Sequence, residues 1–251
     1  MQKIRKKKLH IFAGPNGSGK STLFEEFSKN YNTGYFINAD YIEAILKTKG
    51  FIDLEEYNIK ATQRDLDLFF KKDEVRTLIE KSKSSGYKID VEIKENIIVN
   101  PFKTTHSYEG ALVSLFLREK LIENNENFCF ETVMSHHSKL KEIEAAKNLG
   151  YTAYLYFICT DDPEINISRI ENRVAKGGHT VADEKVITRY PKTLENLYPA
   201  ISLCDKSYLF DNSGEELTLI AEIQEDSSLK LAVNETDFPN WFKIYVLNHY
   251  L

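Results

Sequence analysis

Three observations predict an α/β fold with a mostly parallel sheet covered by helices on both faces. The glycine-rich turn GPNGSGKST (14–22) joins an apolar strand to a helix-like stretch. Strand-like and helix-like segments then alternate along most of the chain. Two of the apolar strands run into a carboxylate, Asp40 and Glu131, at the strand end where such folds place ligands.

Taken in order, KLHIFAG (8–14) reads as a β-rich strand and STLFEEFSKNY (21–31) as a helix. YFINAD (35–40) is a second strand ending in Asp40, and YIEAILKT (41–48) returns to helical spacing. Residues 49–106 break the rhythm: helix-prone polar stretches precede two short alternating runs, YKIDVEI and NIIVNPF. They read as an inserted helical and hairpin unit, a substrate-side cap within a single domain of residues 1–251. EGALVSLFLREKLIENN (109–125) is helical and NFCFET (127–132) is a buried strand. KLKEIEAAKNLG is a helix closed by Gly150, YTAYLYFIC a strand, and TDDPEINISRIENRV a helix with an aspartate at its cap and Pro163 in its first turn. Helical segments continue to about Leu197, followed by SYLFDNSG and two late strands, LTLIAEIQ and LKLAVN.

With 251 residues, 42% hydrophobic and 28% charged, the composition is that of a soluble globular protein. A net charge of -5 builds in no broad attraction for nucleic acid or anionic membrane, so neither is an expected partner. The basic run Lys3–Lys8 reads as a solvated tail leading into the first strand. Cys129, Cys159 and Cys204 are odd in number and widely spaced, which suits neither a disulfide framework nor a zinc site. No apolar run approaches the roughly 18 residues of a membrane span, and the N-terminus lacks a signal-peptide core, so a cytoplasmic protein is expected.

Gly14, Gly19, Lys20 and Ser21 fit GxxxxGK[ST] without departure, in the strand and helix context that the motif requires. The fold class sharpens accordingly to the P-loop nucleoside triphosphate hydrolase type, in which the loop alone does not separate a kinase from an ATPase, a GTPase or a motor. The cradle consists of Gly14, Pro15, Asn16, Gly17, Ser18, Gly19, Lys20, Ser21 and Thr22. Glycines let successive backbone N–H groups surround a polyphosphate at a helix N-terminus. Lys20 reaches the β and γ oxygens, Ser21 ligates Mg²⁺ and Thr22 adds a hydroxyl near the α phosphate, so ATP with Mg²⁺ is the expected nucleotide. The chain has neither an LSGGQ-like motor signature nor an NKxD-like guanine reader.

The remaining polar residues each admit two readings. Asp40 is a base for an acceptor hydroxyl or a helix cap. Arg169 and Arg173, four apart on one helix face, and Arg189 beyond the hinge-like KGGH are a closing clamp or a solvated basic face. Glu131 and Thr132 are an acceptor pocket or an ordinary strand end. His179 in the glycine hinge contacts phosphate or water, and YLFDNSG (208–214) lies near the adenine or forms an ordinary edge strand and turn. His136 and His137 are adjacent, a spacing that rarely makes a metal pair.

The order of these motifs resembles the zeta toxin-like family of P-loop kinases. AGPNGSGKSTL, NAD (38–40), FET (130–132), the arginines leading into RVAKGGHTV (173–181), RY (189–190), LENL (194–197) and DNSG (211–214) occur in the family's order. The resemblance implies an ATP- and Mg²⁺-dependent kinase whose acceptor is an alcohol of a small molecule, such as the sugar 3′-hydroxyl of UDP-N-acetylglucosamine. It implies Asp40 as base, Lys20 on the β and γ phosphates, Arg173 and Arg189 on the transferring group, and Glu131 and Thr132 at the acceptor. A toxin of this kind is held silent by an antitoxin protein that blocks its nucleotide site. Two other functions stay open on the residues: an ATP-binding switch or ATPase acting through a protein partner, and a polynucleotide 5′-hydroxyl kinase, which the acidic balance disfavours.

Overall fold

The opening strand β1 (Lys7–Ala13) buries Leu9, Ile11, Phe12 and Ala13. Both of its faces are therefore covered, as a strand inside a parallel sheet requires. Then follow α1 (Lys20–Asn30), β2 (Tyr35–Ile37), α2 (Ala39–Thr48), β3 (Phe51–Asp53), α3 (Gln63–Phe69), α4 (Asp73–Ser84), β4 (Glu92–Lys94), β5 (Ile97–Val99) and α5 (Ser107–Glu123). The chain continues through β6 (Phe128–Thr132), α6 (Ser138–Asn148), β7 (Tyr151–Cys159), α7 (Pro163–Ala175), α8 (Asp183–Glu195), α9 (Leu197–Leu203), β8 (Lys206–Asp211), β9 (Thr218–Gln224), β10 (Leu229–Leu231) and α10 (Asn240–Tyr245). The computed structural model describes residues 7–101, 105–178 and 180–250. Of the basic run Lys3–Lys8 only Lys7 and Lys8 fall within the described residues, and His179 lies outside them. Two compact units divide the chain: Met1–Thr33 with Cys129–Leu251, and Gly34–Phe128.

In the first unit the strands lie in the order β10-β9-β8-β7-β1-β6. β1 and β8 flank β7 in parallel, with Ile11 opposite Leu155 and Leu155 opposite Ser207. β9 and β10 extend the edge antiparallel. The alternation along β7 assigns the helices to faces. Tyr156 stacks on Phe12, which meets Phe24 and Phe27 of α1 edge-on. The neighbouring positions point the other way, Phe157 against Trp241 of α10 and Cys159 toward Tyr190 of α8. A mostly parallel sheet covered by helices is thus what the alternating sequence predicted.

Local signals in the first unit behave as their chemistry dictates. Asp162 caps α7 by accepting from the Glu164 N–H at 2.9 Å, with Pro163 as the first helical residue. Gly150, at φ +82°, closes the turn after α6. Helix does not stop near Leu197: α9 follows α8 directly after Asn196. All three cysteines are free and buried, and burial pushes the Cys129 and Cys204 thiols up to about 12. They are packing residues rather than nucleophiles.

His10 lies on the α1 face, 6% exposed, stacked on Tyr154 and bonded through Nδ1 to the Tyr156 hydroxyl. Desolvation by burial, with Lys8 nearby, lowers its pKa from 6.5 to about 4. The unfolded chain therefore binds a proton that the native state refuses. Stability is complete above the ordinary histidine value and falls as the pH drops through about 4. Urea melts between pH 7 and pH 4 should show a loss on the order of 3 kcal/mol from this residue, and His10→Phe should remove that part of the slope.

The second unit packs α2 on α5 and carries a three-stranded antiparallel sheet in the order β3-β5-β4. Gly110 permits the close helix crossing, since a Cβ there would sit 2.6 Å from the Ala39 carbonyl oxygen. β4 and β5 form a hairpin through Glu95 and Asn96, both at positive φ, the two-residue turn whose twist matches the strands. Glu109, 1% exposed, accepts from the Asp90 N–H at 3.0 Å and the Asn100 amide at 2.8 Å, while burial raises its pKa.

Candidate active site

The loop after β1 turns sharply because three glycines take conformations closed to other residues. Gly14, Gly17 and Gly19 have φ of +145°, +78° and +103°. A Cβ on Gly14 would lie 1.9 Å from the Ile158 carbonyl oxygen, and one on Gly17 would lie 2.6 Å from the Asn166 carbonyl oxygen. Backbone thus closes on backbone around the loop. The Gly14 N–H donates to the Thr132 carbonyl at 3.3 Å, tying the loop to the end of β6.

Gly19 is the N-cap of α1, and Lys20, Ser21 and Thr22 form its first turn. The partial positive charge of that helix end therefore falls inside the loop. The Lys20 ammonium donates to the Pro15 carbonyl at 2.7 Å, across the cradle mouth. The Ser21 hydroxyl donates to Glu131 Oε2 at 2.9 Å. Among the described residues, the buried atoms Ser18 Oγ and Asn16 Oδ1 have no hydrogen-bond partner.

Glu131 and Thr132 end β6, and the Thr132 carbonyl meets the loop at Gly14. Thr132 Oγ1 accepts from the Met134 N–H at 2.9 Å, steadying the chain where Met134 takes φ +58°. Arg169 and Arg173 of α7 line one groove, and Arg189 belongs to a different helix, α8. Arg169 donates to the Gly214 carbonyl at 3.2 Å, in the turn after β8. Arg173 lies in the last turn of α7, its side chain where a Cβ on Gly178 would come within 2.6 Å, and the two line a groove with Asn172, Lys176 and Gly177. Arg189 lies in the middle of α8.

Asp40 belongs to the second unit. Strand β2 ends at Ile37, before Asp40, because Asn38 caps α2: its side-chain oxygen accepts from the Asp40 and Tyr41 N–H groups at 2.9 and 3.1 Å. Asp40 is the second residue of the helix, with an exposed side chain. Capping is therefore the work of Asn38, not Asp40.

Within DNSG (211–214), which the sequence singled out without giving its residues separate roles, the Asn212 amide nitrogen donates to the Ser18 carbonyl at 2.8 Å. The contact spans 194 residues, so no local pattern announces it. Asp161, which no sequence pattern singled out, holds the start of α10 by accepting from the Trp241 N–H and the Asn240 amide. Among the described residues no group of three histidine, cysteine or acidic side chains is arranged for a metal ion. Nor is any described helix long and apolar enough to cross a membrane.

A buried parallel strand, a GxxxxGK[ST] loop and the N-terminus of a helix, in that order, define a P-loop protein. The zeta toxin family model matches residues 103–200. A stretch of 69 residues is 35% identical to an uncharacterized protein of Haemophilus influenzae, covering 28% of this chain and 49% of that protein. The fold is similar to that in the AvrRxo1-ORF1:AvrRxo1-ORF2 crystal structure, with a TM-score of 0.53 at 15% identity over 92% of this chain and 62% of that one. It is also similar to that of the PezAT chromosomal toxin-antitoxin system of Streptococcus pneumoniae, with a TM-score of 0.51 at 13% identity over 92% of this chain and 77% of that one. The chain thus spans about half the length of the curated relative and 62% of the first structure. Its similarity to the zeta toxin family thus lies in residues 103–200, and its similarity to the two solved structures is one of fold.

Proposed function

We propose that the protein is a phosphotransferase that moves the γ-phosphoryl group of ATP to an alcohol of a small molecule, a nucleotide sugar such as UDP-N-acetylglucosamine. The observation that carries this reading is the head of α1. There Lys20 lies over the glycine loop while the Ser21 hydroxyl and Glu131 carboxylate meet at 2.9 Å. Two hard oxygen donors beside a phosphate cradle suit Mg²⁺, which keeps its waters and binds through few protein oxygens. Held by Ser21 and Glu131, Mg²⁺ would supply charge that neutralises the phosphates.

The chain's own residues do the rest. Backbone N–H groups between Asn16 and Thr22 hold the triphosphate, and Lys20 exchanges the Pro15 carbonyl for β and γ oxygens. Asp40 takes the proton of the acceptor hydroxyl as its oxygen bonds to the γ phosphorus and the bond to the ADP oxygen breaks. Arg173 and Arg189 stabilise the charge on the group in flight, and Glu131 and Thr132 line the acceptor side. The hydrogen bond from Ser21 supports a second part for Glu131, beside the metal. Such a reaction needs positioning and charge neutralisation rather than covalent help.

The toxin-antitoxin character of the PezAT system supports a protein partner that occludes the cradle. Expression without a partner should then arrest growth, and Lys20→Ala should relieve the arrest. The direct test incubates purified protein with Mg-ATP and a panel of nucleotide sugars, read by ³¹P NMR and mass spectrometry. A new phosphomonoester on one sugar supports the reading; ATP binding with no phosphorylated product from any alcohol refutes it.

A further inference from the structure

We infer that Asn212, in the turn between β8 and β9, is a positioning residue for the phosphate cradle: it orients the Ser18–Gly19 peptide so that the Gly19 N–H is presented to phosphate. The inference rests on the reading of residues 14–22 as a triphosphate site and assigns a new part of it.

The argument begins with the peptide itself. In a trans peptide the C=O and the following N–H point in opposite directions. Asn212 Nδ2 donates to the Ser18 carbonyl at 2.8 Å, and only the nitrogen end of that amide can face a carbonyl oxygen. Holding the Ser18 oxygen toward Asn212 therefore turns the Gly19 N–H away from Asn212. Among the described residues that N–H donates to no acceptor. Rotated the other way, the same peptide would aim a carbonyl dipole at the anion and repel it.

The glycine at position 19 fits the same contact. A Cβ there would stand 2.5 Å from Asn212 Nδ2, and φ is +103°. Asn212 thus occupies the space that any side chain at position 19 would need, and each residue depends on the other.

The turn bearing Asn212 is fixed independently of the loop. Its own N–H donates to the Cys159 carbonyl at 2.8 Å. Asp211 accepts from the Ser213 N–H, the Ser213 hydroxyl and the Trp241 indole, each at 2.9 Å. Ser213 in turn accepts from the Asp161 N–H at 2.8 Å. A side chain on such a support keeps its direction before any ligand arrives, which is what a preorganised anion site requires.

The test compares wild type with Asn212→Ala, which deletes the amide, and Asn212→Asp, which keeps the size but sets a carboxylate against the Ser18 carbonyl. Titration calorimetry reads the Kd of Mg-ATP and of magnesium tripolyphosphate, which has the phosphates but no nucleoside. The stoichiometry defines the folded fraction, so partial unfolding does not mimic a change in Kd. Both ligands should weaken by the same factor, about tenfold for Asn212→Ala and more for Asn212→Asp. Wild-type Kd values in both variants would overturn the inference while leaving the cradle intact. A loss confined to Mg-ATP would also overturn it, by moving the role to the nucleoside. If the wild type binds neither ligand, the cradle reading itself falls, and this inference with it.

Discussion

Asn in place of Asp40 should abolish phosphoryl transfer while leaving the fold and ATP binding intact. General-base assistance is worth roughly 10²–10⁴-fold, and an amide cannot accept the proton. The structure makes this test clean. The α2 cap is Asn38, which serves the N–H groups of residues 40 and 41. Asp40 contributes a first-turn charge to its helix, worth about 0.3–1 kcal/mol, and its side chain is exposed. Loss of turnover in Asp40→Asn therefore cannot be assigned to unfolding, provided that its melting temperature and Mg-ATP Kd stay close to wild type. Unchanged turnover would remove Asp40 from the chemistry.

Lys20→Ala should lose both binding and turnover. The ammonium lies at the head of α1, bonded to the Pro15 carbonyl at 2.7 Å, in a loop whose other donors are neutral N–H groups. Removing one preorganised donor to developing charge typically lowers kcat by about 10²–10³-fold. A charged donor also contributes to ground-state binding, so the Kd of Mg-ATP should rise together with the fall in kcat. Steady-state kinetics and calorimetry on the same preparation check both halves. A variant that keeps wild-type affinity and rate would show that Lys20 serves only the apo loop.

The fold was legible wherever its determinants are local. The glycine loop, the Asp162-Pro163 start of α7, the Gly150 stop and the edge strands β9 and β10 all follow from short patterns. What the sequence concealed is non-local or short. Strand β3 is three residues whose pairing with β5 depends on distant chain. The seven residues of α9, with Pro199 near the start, carry little helical periodicity. The limit of β2 was misread because Asn38 looks like strand until its side chain is seen to cap α2.

The candidate site divides in the same way. Lys20 and Ser21 could be read from one motif. The meeting of Ser21 with Glu131 joins residues 110 apart, and Asn212 reaches Ser18 over 194. Neither pairing leaves a local trace, because the sheet order, not chain proximity, brings β1, β6 and β8 to one loop. The arginines show the reverse: their spacing on the α7 face was plain, but the partner of Arg169 at Gly214 was not.

The central claim is that one cradle and one carboxylate act on the same phosphate. A crystal structure with Mg²⁺ and a non-hydrolysable ATP analogue tests it most directly. The expected result has the β and γ phosphates ringed by N–H groups of residues 16–22, Lys20 turned from Pro15 onto their oxygens, and the Asp40 carboxylate facing the γ phosphorus with room for an alcohol between. A triphosphate bound elsewhere, or Asp40 directed away from it in the closed complex, would contradict the account.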